Sequence, residues 1–129
     1  IRIEPGRGPV LDDPIRRASD VLRLRPLDPG ALDPIREAVA MTVAELGSTP
    51  LIGFGGAPFT LAAYLVEGGA SKDQQRARAM MHAEPRSSAA LLNWCADMTG
   101  QFVRAQVEAG ASAAQRFDSW VGSLSAVDY

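Results

Sequence analysis

Apolar residues recur along this chain in two rhythms. At Leu51, Ile52 and Phe54 they run almost unbroken, as in a strand buried on both faces. The run passes through Gly55 and Gly56 to Pro58, whose missing N–H suits the first turn of a helix, so Leu51 to Gly69 predicts strand, turn and helix. Elsewhere the spacing is helical. Ile15, Ala18 and Leu22 follow Asp13-Pro14, and Ile35, Val39, Val43 and Leu46 follow Asp33-Pro34 and end at Gly47. Ala77, Met80 and Met81 form the apolar face of a helix capped by Ser71 and stopped by Pro85. Leu91, Cys95, Met98, Phe102, Ala105 and Ala109 make one face of a long helix from Arg86 that closes at Gly110, after which Ser112 to Phe117 reads as a second strand. Ile1 to Val10 holds two prolines and two glycines and predicts an extended loop, with Arg2 and Arg7 as solvated loop arginines in preference to anion ligands.

Helix, short loop and strand in alternation is the grammar of an α/β fold, which places ligands past the carboxyl ends of its strands. Two stretches fall there: the Gly-Gly-Ala-Pro turn after Phe54, and Asp118 with Ser119 after Phe117. A dinucleotide reading of the first fails, because Pro58 stands where a third glycine is needed. From spacing alone the glycines serve a tight turn and close packing, with free N–H groups near Ala57 to Thr60 open to a carboxylate or phosphate. Arg116 is the exception in the second strand. A guanidinium there must reach solvent or a carboxylate, since burying it unpaired costs on the order of several kcal/mol.

Composition narrows the choices. The net charge is −2, and the single Lys72 stands against twelve scattered arginines, so no basic stripe marks a nucleic-acid footprint. Apolar runs fall short of a membrane span and no amino-terminal signal pattern is visible, which fits a cytoplasmic enzyme. One cysteine, Cys95, excludes an internal disulfide, and with the lone His82 it leaves no cluster for zinc. Cys95 reads as a small buried hydrophobe ahead of a reactive thiol, Met80 and Met81 as core filler, and Asp97 as solvated or paired with a neighbouring Arg. A whole (β/α)8 barrel takes roughly 250 residues. At 129 residues, starting at Ile1, the chain is expected to be a fragment.

Four stretches in order, GFGGAPFTLAAYLVEGG, SKD, AQVEAGA and FDSWVGSLS, resemble the uroporphyrinogen decarboxylase family, and the likeness runs through nearly the whole chain. The resemblance implies a central piece of a single (β/α)8 TIM barrel domain, about two strands with flanking helices. It also implies a homodimer and a cofactor-free carboxy-lyase that turns the four acetate arms of uroporphyrinogen into methyls on the way to heme. Matched motif to motif, Tyr64 and Ser119 fall on the family's two substrate-contacting hydroxyl positions. Without that match Tyr64 is an ordinary helix residue and Ser119 an ordinary turn. A phenol and an alcohol suit a polycarboxylate, donating hydrogen bonds without a charge that would lock product in place. Phe54 and Phe59 either line an apolar wall against the macrocycle or pack in the core.

Loss of carbon dioxide from an acetate arm needs the pyrrole carbon protonated first, so that the bond's electrons have a cationic sink. The family meets this with an aspartate near an early strand, an arginine-bearing loop and a late histidine. None of those motifs lies in these residues, and Asp118 is not that aspartate, so the resemblance implies substrate contacts here, no catalytic residue, and no activity for the fragment alone. Family members carry an apolar residue where this chain has Arg116. Two other readings compete: a corrinoid or thiol methyltransferase of the same superfamily, which needs zinc ligands, and a non-catalytic helical interaction module.

Overall fold

A computed structural model describes residues 1–6 and 8–129. Arg7, one of the two loop arginines, lies outside the described residues. The centre is a parallel pair, β3 (Ile52–Gly56) beside β4 (Ala113–Phe117), in register from Ile52 opposite Ala113 to Gly56 opposite Phe117. Three helices join the strands: α3 (Pro58–Glu67), α4 (Gln75–Ala83) and α5 (Pro85–Glu108). Ahead of them come an antiparallel pair, β1 (Arg2–Glu4) with β2 (Gly8–Val10), a short α1 (Ala18–Val21) and α2 (Asp33–Leu46). The expected α/β step is present.

Side chains alternate across a strand, and this decides which face of β3 is covered. Gly53 and Gly55 face α5 and are buried, while Ile52 and Phe54 face the other way and are about 60% exposed, at 62% and 61%. The apolar run is therefore not buried on both faces as its sequence suggested. The glycines do serve close packing: a Cβ on Gly53 would meet the Gln106 side chain at 2.9 Å, and one on Gly55 would meet Val103 at 3.1 Å. Neither adopts a positive φ, so helix approach, and not the turn, requires them.

Two polar residues of α5 stand in for a neighbouring strand. The Phe54 N–H donates to Gln106 Oε1 at 3.0 Å, and Gln106 Nε2 donates to the Phe54 carbonyl at 2.8 Å. Thr99 Oγ1 donates to the Gly56 carbonyl at 2.7 Å. Both side chains are buried, and the α5 face expected to be wholly apolar is instead striped with Ser88, Thr99 and Gln106 among Leu91, Cys95 and Ala105.

The core lies among α3, α4, α5 and the segment before them, built from Ile15, Val21, Phe59, Ala63, Val66, Met80, Leu91 and Cys95 among others. Burial pushes the Cys95 thiol up to about 12, as for an inert small hydrophobe. Residues 11 to 16 cover the carboxyl end of α3. The N–H of Leu11 donates to the Gly68 carbonyl and that of Ile15 to the Leu65 carbonyl, both at 2.9 Å, and the Arg16 guanidinium reaches the Val66 carbonyl. Carbonyls that a helix end leaves unpaired are satisfied this way.

That contact shortens the first helix. Ile15 is held outside it, α1 begins at Ala18, and Leu22 is exposed, where the spacing had predicted a helix from Pro14. The capping carboxylate is that of Asp20, accepting from the Arg16 and Arg17 N–H groups at 2.8 and 3.1 Å, and not that of Asp13. α4 is also capped from elsewhere: Glu67 Oε1 accepts from the Arg76 and Ala77 N–H groups at 2.8 and 3.1 Å, while Ser71 accepts from Gln74, one residue before the helix. The expected loop at the start is a strand pair, with Arg2 held by Asp12 and Glu4 at 2.8 Å each, so it is engaged within the protein.

Candidate functional site

Both strands end at one place. α3 starts directly after β3, so its first turn stands at the carboxyl end of the sheet, beside the segment that leaves β4. The Ala57 N–H donates to the Phe117 carbonyl at 2.8 Å and carries the strand pairing into that turn. Asp118 then fastens the two together. Its Oδ1 accepts from the Thr60 N–H at 3.2 Å and from Thr60 Oγ1 at 2.8 Å. The free N–H groups predicted near Ala57 to Thr60 thus include one already taken by a carboxylate of this chain, in the way acidic groups favour helix starts. Asp118 is a tie between elements.

Trp120 extends the tie. Its N–H lies 3.4 Å from Thr60 Oγ1, and its ring stacks on Tyr64 with centroids 4.4 Å apart and planes tilted 33°. Thr60 and Tyr64 are four residues apart on α3 and share a face. Tyr64, half-buried, thus stacks on the residue that directly follows the exposed Ser119, and neither hydroxyl has a hydrogen-bond partner among the described residues. Trp120 and Thr60 were missed in the sequence, although the spacing of Thr60 to Tyr64 marked a shared face.

The other candidates separate. Phe59 is 6% exposed and packs in the core, at the floor of a cleft beside Pro58. Phe54 is on the open face of the sheet in an edge-on contact with Phe117, centroids 6.1 Å apart. Arg116 faces the helix side opposite Gly55, is exposed, and lines a cleft of about 790 Å³ with Pro58, Leu92 and Leu124. It reaches solvent, one of the two outcomes its charge allowed. His82 is exposed and lies 3.7 Å from Asp128. Among the described residues no group of three or more His, Cys, Asp or Glu could hold a metal ion, and no helix is long and apolar enough to cross a membrane.

A parallel strand pair joined through helices places the chain among the α/β proteins. Its sequence goes further: the model of the uroporphyrinogen decarboxylase (URO-D) family matches residues 1–129, and the chain belongs to that family. It is 63% identical over 129 residues to a uroporphyrinogen decarboxylase of Arthrobacter sp. strain FB24, covering 100% of this chain and 37% of the relative. It is 60% identical to that of Leifsonia xyli over 100% of this chain and 36% of the relative, and 55% identical to that of Streptomyces griseus over 98% and 35%. The chain spans little more than a third of the length of these curated relatives. They bear the decarboxylase name and not that of a methyltransferase, and the parallel strand pair departs from a purely helical module.

Proposed function

We propose that this chain is the central part of a single barrel domain whose whole enzyme removes carbon dioxide from the four acetate arms of uroporphyrinogen, in heme and related tetrapyrrole synthesis. The observation that carries the reading is the family match along all of residues 1–129. The open face of β3 and β4, with Ile52, Phe54 and Phe117 exposed, is in this account the barrel interior, covered by strands from the rest of the domain. The enzyme works in the cytoplasm as a homodimer and has neither membrane nor nucleic acid as a partner.

Within it, Tyr64 and Ser119 bind substrate. Each donates a hydrogen bond to a carboxylate of the tetrapyrrole and orients an acetate arm for loss of carbon dioxide. With the pyrrole carbon already protonated, the electrons of the breaking carbon–carbon bond flow into the cationic ring. The exocyclic methylene left behind takes up a proton to become methyl, and the ring carbon gives its own back. Stabilising that cation falls to a carboxylate elsewhere in the whole enzyme, because Asp118 is committed to Thr60. The test is anaerobic turnover of uroporphyrinogen by the longer enzyme, with partly decarboxylated products separated by chromatography. Stepwise loss of carboxylates supports the reading, and no loss rejects it.

A further inference from the structure

The contacts around Trp120 hold both its main chain and its ring. Its main chain is fixed on both sides: Asp118 grips Thr60 before it, and its own carbonyl accepts from the Ser123 N–H at 3.0 Å and from Ser123 Oγ at 2.8 Å after it. Its ring is thereby held against one side of Tyr64, a side chain with two rotatable bonds between its hydroxyl and the helix. A stack at 4.4 Å removes the phenol orientations that would cross the indole. The same residue directly follows Ser119 in the chain, which ties the stack on Tyr64 to the segment that carries the second hydroxyl.

We propose that Trp120 is a positioning residue for substrate binding, acting through Tyr64, with the Asp118–Thr60 tie as its anchor. This rests on the reading that Tyr64 binds substrate. Misplacing a contact by about 1 Å costs roughly 100-fold in rate when that contact orients the reacting group. Trp120 touches no reacting atom in this account. Its effect should therefore vanish when the hydroxyl it aims is absent, whereas a residue that only holds the fold together costs activity whether or not the hydroxyl is there.

The experiment is a double-substitution cycle in the longer enzyme that carries this chain, reading kcat/KM for uroporphyrinogen under anaerobic conditions and the thermal midpoint of each variant. Trp120→Ala is made alone and together with Tyr64→Phe, which keeps the stacking ring and deletes the hydroxyl. Trp120→Leu replaces Trp120→Ala if the latter does not fold, and Trp120→Phe tests rescue by a second ring. The expected result is a loss of roughly tenfold or more for Trp120→Ala alone, less than about twofold further loss in the Tyr64→Phe background, and most activity kept by Trp120→Phe. Equal losses in both backgrounds, or no loss in either, overturn the proposal. Full activity of Tyr64→Phe by itself removes the binding role of Tyr64 and takes this proposal with it, a pattern distinct from the other two.

Discussion

Tyr64 and Ser119 present neutral donors, and hydrogen bonds to a charged acceptor contribute about 1.5–3 kcal/mol each. Tyr64→Phe in the whole enzyme is therefore expected to lower kcat/KM roughly 10- to 100-fold with the thermal midpoint unchanged, which steady-state assays and a melting curve check together. Cys95 gives a second residue-level expectation. With its thiol pushed up to about 12 by burial, it should resist alkylation at neutral pH until the protein is unfolded, as peptide mapping by mass spectrometry will show. Modification of native Cys95 within minutes would contradict its burial. The sequence made the cysteine legible as a core residue, since its spacing from Leu91 put it on the helix's inward face. It did not reveal Thr60 and Trp120, whose roles come from a contact between residues 60 positions apart.

At the scale of elements, β3 shows where pattern reading stops. Leu51, Ile52 and Phe54 gave the strand's existence and place, yet the covered face belongs to Gly53 and Gly55, where a Cβ would crowd the Gln106 and Val103 side chains of α5. Gly53→Ala should displace the Gln106 side chain from the Phe54 backbone and cost about 1–3 kcal/mol, seen as a lower denaturation midpoint. Gln106 and Thr99 were hidden for a related reason: a polar residue on an inward helix face looks like an interruption until the strand carbonyl it binds is seen. Helix ends behaved likewise. Gly47 and Pro85 were readable from local chemistry, while the caps by Asp20 and Glu67 depend on how the chain folds back. Asp20 is held below the usual carboxyl range, chiefly by the N–H of Arg16. Its stabilising contribution is full above its unfolded value of about 3.9 and is lost as pH falls through the lower folded value. Asp20→Asn should accordingly lose stability at pH 6 and differ less from the parent at pH 3, as urea midpoints at the two pH values will report.

For the whole molecule, the sheet pairs two strands and leaves one face open, with Phe54 and Phe117 in contact upon it. Near the end where β3 and β4 stop, the Asp118–Thr60 hydrogen bonds and the Tyr64–Trp120 stack join segments far apart in sequence. The motifs made membership of the family legible, because they stand in stretches resembling it along nearly the whole chain. The link between them was not legible, being a matter of packing. The most direct measurement is turnover of uroporphyrinogen by the longer enzyme without oxygen, parent against Tyr64→Phe, following the intermediates by number of carboxylates. Stepwise decarboxylation by the parent, slowed at least tenfold in the variant, is the predicted result. A parent that leaves uroporphyrinogen unchanged, or a variant as fast as the parent, would contradict the account.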